Sequence, residues 1–146
     1  MKHIVPSEVS AQVRMAVDVM RAHLAPVLLA IHLYGSALQG GLKKYSDIDL
    51  LVTLSGPLDE ATRRALVLEL LRHSAPPAES ESLRALEVTV ILRDEVVPWR
   101  YPARRELQFG EWLRRDPLAG TFESAVLDHD LAILLTKARQ QSLALL

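Results

Sequence analysis

Two apolar, strand-length runs, 27–33 and 46–54, are joined by a connector of only eleven residues, 35–45, that carries three glycines. A parallel pair would need a crossover of a dozen or more residues, usually a helix, so the two strands are expected to lie antiparallel. That pairing sets Gly35 and Ser36, at the end of the first strand, beside Asp47 and Asp49, at the start of the second. A third core strand reads from Glu87 to Leu92. Three-and-four spacing of apolar residues predicts a helix over 7–24 with Ser7 as its N-cap. A second helix is predicted after an Asp59 cap, with Ala61, Ala65, Leu66, Leu68 and Leu71 as its buried stripe. Short helical spacing at 106–115 and a last helix over 127–146 complete the reading. Pro98 and Pro102 bracket an ordered loop that displays Trp99 and Tyr101. The expected class is α+β with mixed α/β character, a small mixed sheet flanked by helices.

At 146 residues and 49% apolar side chains the chain makes one domain, 1–146, large enough to bury roughly 70% of its unfolded surface. Seventeen basic against eighteen acidic residues leave a net charge of −1. No bulk attraction to nucleic acid or to an anionic membrane follows from that balance, so neither is expected as a partner, and any phosphate must be bound locally. The absence of cysteine excludes disulfides, thiolate zinc sites and cysteine nucleophiles, and fits a reducing, cytoplasmic setting. The opening residues and the lengths of the apolar runs predict neither a secretion signal nor a membrane span.

Side chains two apart on a strand share a face, so Asp47 and Asp49 point the same way while Ile48 and Leu50 enter the apolar layer. Two carboxylates that close repel unless a cation neutralises them, and Mg²⁺ takes such oxygen ligands when it also holds substrate phosphates. Gly35-Ser36 offers close backbone approach and a hydroxyl for a phosphate oxygen. Gly40-Gly41 and Lys43-Lys44 follow, and this loop holds two of the four lysines in the chain. Glu87 opens the third strand and reads as a further metal ligand or as the general base for an attacking hydroxyl. The five histidines show no metal-ligand spacing, and the arginine doublets at 63–64, 104–105 and 114–115 read as solvated helix faces.

Taken together, Leu33-Tyr34-Gly35-Ser36, Gly40-Gly41-Leu42-Lys43 and Ser46-Asp47-Ile48-Asp49-Leu50 resemble the nucleotidyltransferase superfamily shared with DNA polymerase beta. Residues 84–90, Val97-Pro98-Trp99, the block 107–114 around Trp112, and 130–136 are similar to the aminoglycoside (3'')(9) adenylyltransferases. The resemblance implies a nucleotidyltransferase fold and Mg²⁺-dependent transfer of AMP from ATP to a hydroxyl of streptomycin or spectinomycin. It further implies that Asp47 and Asp49 hold metal, Glu87 is the base and completes the ligands, Gly35, Ser36, Ser46 and Lys43 contact the nucleotide, and Trp112 lines the drug site. The family's C-terminal helical domain is expected to be missing from 1–146. Two other functions fit the residues: a minimal nucleotidyltransferase that adenylylates a protein or RNA partner in a toxin–antitoxin pair, and a non-catalytic module. An apolar end at Leu143, Ala144, Leu145 and Leu146 predicts self-association through 127–146 as a homodimer.

Overall fold

In a computed structural model that describes residues 5–38 and 45–146, a mixed sheet lies between two layers. Its elements are helix α1 (Ser10–Leu24), strand β1 (Leu28–Tyr34), a 3-10 turn (Gly35–Ala37), β2 (Ile48–Leu54), α2 (Glu60–Arg72), β3 (Leu86–Leu92), α3 (Arg93–Val96), β4 (Ala103–Arg105) and β5 (Leu107–Phe109). A second 3-10 turn (Glu111–Leu113), α4 (Arg115–Leu118), β6 (Val126–Asp128), α5 (Leu131–Gln140) and β7 (Ser142–Ala144) follow. The sheet order is β5-β3-β2-β1-β7. β1 and β2 pair antiparallel, as the short connector requires, and β2 and β3 pair in parallel with α2 in their crossover. β4 and β6 form a separate two-stranded ribbon.

Strand alternation divides the sheet. One face sends Ile31, Leu33, Ile48, Leu50, Val52, Val88 and Val90 against Val13, Met20, Leu66 and Leu70 of α1 and α2. Full burial of a Leu50 or Val88 side chain contributes about 1.5–3 kcal/mol. The other face gathers Tyr34, Leu51 and Ile91 with Ala103, Leu131 and Ala138 beneath α5. Asp49, Glu87 and Thr89 belong to this second face, with Asp49 and Glu87 second in β2 and β3. Among the described residues no helix is long and apolar enough to cross a membrane.

Several local expectations are corrected. α1 begins at Ser10 after Val9, without a side-chain cap; Ser7 instead sits in the preceding turn, and its carbonyl accepts from the Ser10 hydroxyl at 3.2 Å. Asp59 does cap α2, accepting from the Thr62 N–H at 2.7 Å, but the buried stripe is Arg63, Leu66, Val67, Leu70 and Leu71, while Ala61, Ala65 and Leu68 face water. Arg63 turns inward because its guanidinium reaches the Glu106 carboxylate at 2.7 Å and the Glu106 carbonyl at 2.5 Å.

Residues 107–109 form a strand rather than part of a helix, since they pair with Val88–Val90 at the sheet edge. The last helix stops at Gln140, and 142–144 turn back to pair with His32, Leu33 and Tyr34, so Leu143 and Leu145 pack on the core instead of forming an uncovered apolar end. The arginine doublets also divide: Arg63, Arg105 and Arg114 are tied into the fold, and Arg64, Arg104 and Arg115 remain exposed.

Candidate active site

Tyr34, Asp49 and Glu87 form one row across three adjacent strands, Tyr34 opposite Asp49 in the antiparallel pair and Asp49 beside Glu87 in the parallel pair. Asp47 lies two residues before Asp49, just ahead of β2. Carboxylate oxygens of Asp47, Asp49 and Glu87 all fall within 4.8 Å of one another, and all three residues are half-buried. Gly35 closes β1 with φ of 78°, and a Cβ there would stand 2.2 Å from Asp49 Oδ2, so both backbone conformation and space demand glycine. Ser36 follows in the 3-10 turn, and Ser46 directly precedes Asp47. Lys43, with Gly40, Gly41 and Lys44, lies outside the described residues.

Burial, reinforced by the crowding of like charge, governs the electrostatics. Asp49 is pushed up to about 8, first by burial and then by the charge and hydrogen bond of Glu87, with Lys137 pulling the other way. Asp47 is also raised, by burial and then by Glu111. Burial, followed by Asp49 and Glu87, raises the Tyr34 phenol well above its ordinary range, so it stays protonated beside the acids. A set of three oxygen donors that resists holding its own negative charge fits a hard divalent cation such as Mg²⁺.

Tyr34, Gly35, Ser36, Asp49, Glu87 and Gln108 form one side of a cleft of about 570 Å³, and Asp128, Asp130, Ile133, Leu134 and Lys137 form the other. Arg105 braces that second wall: it pairs with Glu123 and, at 2.6 Å, with Asp128, whose other oxygen accepts from the Asp130 N–H at 2.9 Å ahead of α5. Reading the sequence missed this wall. Its one signal is that Asp128-His129-Asp130 repeats the two-residue acid spacing immediately before a helix.

Trp112 stands apart from the cleft lining, on the second 3-10 turn, with 63% of its surface exposed. Its ring packs against Gly110, where a Cβ would come within 2.1 Å of the indole. Glu111 fixes the turn through Arg114 at 2.6 and 2.8 Å and the Ser74 hydroxyl at 2.5 Å. That hydroxyl also accepts from the Leu86 N–H at 2.9 Å, which links the Trp112 turn to the residue preceding Glu87.

A mixed sheet that brings three carboxylates to a glycine-serine turn at the mouth of a cleft defines a phosphoryl-transfer class of domain. The family model for the nucleotidyltransferase domain matches residues 16–108, and the chain belongs to that family. It is 63% identical to an aminoglycoside (3'')(9) adenylyltransferase of Shigella flexneri over 99% of this chain and 55% of the relative. It is 37% identical to a spectinomycin 9-adenylyltransferase of Staphylococcus aureus over 99% of this chain and 56% of the relative. A crystal structure of an Enterococcus spectinomycin adenyltransferase with ATP and spectinomycin is similar at a TM-score of 0.89 and 31% identity, covering 93% of this chain and 55% of that one. The chain thus spans about half the length of the relatives it matches.

Proposed function

We propose that this domain transfers AMP from ATP to a hydroxyl of an aminoglycoside or aminocyclitol antibiotic, streptomycin or spectinomycin. The observation that carries the reading is the convergence of Asp47, Asp49 and Glu87 within 4.8 Å beside Gly35 and Ser36. Asp47, Asp49 and Glu87 would hold Mg²⁺, which supplies charge neutralisation and Lewis acidity toward the phosphates when bound. In the transfer, the substrate oxygen bonds to the α-phosphorus, the bond from that phosphorus to the bridging oxygen breaks, and pyrophosphate leaves with the electron pair. Glu87 takes the hydroxyl proton, being the acid on β3 that opens onto the cleft.

Gly35 lets the backbone approach the nucleotide, and the Ser36 and Ser46 hydroxyls bond its phosphate oxygens; Lys43 offsets triphosphate charge. Lys137, facing Asp49 across the cleft, adds a second cation on the nucleotide side. Trp112 offers an exposed aromatic face to the drug, held by Gly110 and by the Glu111–Arg114 pair. Two of the relatives named above, and the similar crystal structure, act on or bind spectinomycin or aminoglycosides, which supports the substrate class.

The test is incubation with labelled ATP, Mg²⁺ and either drug. Label recovered in an AMP–drug adduct is the expected result. Label on protein or RNA instead would move the assignment to a macromolecular acceptor, and no transfer to either drug by the chain supplied with the remaining half of such a relative would overturn it.

A further inference from the structure

Asp47 differs from its two partners in one respect: it lies outside the sheet, because β2 begins at Ile48. Ladder pairing fixes Asp49 and Glu87, but Asp47 needs another restraint. Among the described residues a main-chain bond stands on each side of it. The Ser46 carbonyl accepts from Arg84 Nη1 at 3.1 Å, and the Ile48 N–H donates to the Ala85 carbonyl at 2.9 Å. Arg84 is held in turn from the helical layer. Gln12 of α1, only 6% exposed, gives its carboxamide to the main chain: Nε2 donates to the His73 and Arg84 carbonyls, each at 2.8 Å, and Oε1 accepts from the Arg84 N–H at 3.0 Å. A buried carboxamide is costly unless its bonds are made, and these bonds go to the two ends of the connection between α2 and β3.

We propose that Arg84, anchored through Gln12, is a positioning residue that sets Asp47 against Asp49 and Glu87 and thereby sets the affinity of the trio for a divalent cation. The proposal rests on the reading of those three acids as a cation site. The bond runs to the peptide preceding Asp47, so Arg84 acts on where the carboxylate stands. Removal of such outer partners from a metal site costs about 10–100-fold in affinity.

Mn²⁺ alone, titrated into the chain and followed by the electron paramagnetic resonance of the free ion, reads this without turnover. Arg84→Met is expected to bind Mn²⁺ about 10–100-fold more weakly while keeping a cooperative melt. Arg84→Lys, whose ammonium can reach the same carbonyl, should recover to within about threefold of the parent. Should Arg84→Met fail to fold, Arg84→Gln carries the same expectation, since its shorter head cannot span to Ser46. Parent-like binding in the Met or Gln variant, with binding lost in Asp47→Asn, would overturn the role of Arg84 and leave the cation site standing. A parent chain that binds no Mn²⁺ at millimolar concentration would overturn both.

Discussion

Glu106 and Asp49 are both carboxylates drawn away from water, yet their surroundings are opposite in kind. Glu106 is 3% exposed, and it meets Arg63 at 2.7 Å and the Leu58 N–H at 3.0 Å. Glu111, a second withdrawn acid, meets Arg114 and Ser74 in the same way. Asp49 instead meets Glu87 and Asp47, and among the described residues none of the three is in an ion pair. The fold can match a buried acid with a guanidinium, and does so at Glu106 with Arg63 and at Glu111 with Arg114. Where it does not, the Mg²⁺ proposed for the site would supply the compensating charge. That contrast separates acids that hold the structure from acids held ready by it.

The contrast is broken most severely at the proposed base, Glu87. Glu87→Gln should slow AMP transfer by roughly 10²–10⁴-fold, with the melting temperature of the metal-free chain unchanged or raised, because an acid in a repulsive cluster contributes no folding energy. Transfer at the parental rate from pH 6 to 9, measured with the complete substrate set, would remove Glu87 from the chemistry.

Glu106→Gln should do the reverse. It leaves Arg63 buried without its counter-charge and should cost about 3–5 kcal/mol in denaturant unfolding, while the joint replacement Arg63→Met with Glu106→Leu returns to within a small margin of the parent. A loss under about 1 kcal/mol in the single variant would mean that the pair is not desolvated as its geometry indicates.

The smallest effect is a pH dependence. Asp49 is raised above its ordinary 3.8 to about 8, so the folded chain binds its proton more tightly than the unfolded chain does. Its stabilising share is complete below the ordinary value and is lost as pH climbs through the raised one. Without metal, the parent should therefore lose a few degrees of melting temperature relative to Asp49→Asn between pH 4 and pH 8, and Mg²⁺ should narrow that gap. Parallel pH profiles for the two chains would show that Asp49 carries no such strain.

The acid edge was legible because its logic is local. Period-two alternation placed Asp47 and Asp49 together, the short glycine-bearing connector brought Gly35 beside them, and Glu87 opened a run too apolar for a stray charge. What stayed hidden depends on partners far along the chain. Nothing near Arg63 announces Glu106, 43 residues away, and without that partner the α2 stripe reads through its alanines. Residues 107–109 and 142–144 are too short to show a strand period, and each becomes a strand only because an open sheet edge awaits it. The second wall of the cleft follows from the same long-range docking, since Asp128 takes its place from Arg105 on the other strand of its ribbon, 23 residues away.

β7 has one more bearing, on the order of assembly. It joins β1 from more than a hundred residues further on, and its flanks add to the seam: Leu145 N–H donates to the Ile31 carbonyl at 2.8 Å, and the Gln141 carboxamide donates to the Leu38 carbonyl across 103 positions of sequence. During synthesis β1 leaves the ribosome long before the residues that cover its outer margin. Until they arrive, the main-chain groups from Ile31 to Tyr34 form a free template for any passing strand. Pairing at such separation is slow to close, which makes the interval between β1 and β7 a period in which a nascent copy is open to mispairing with its neighbours.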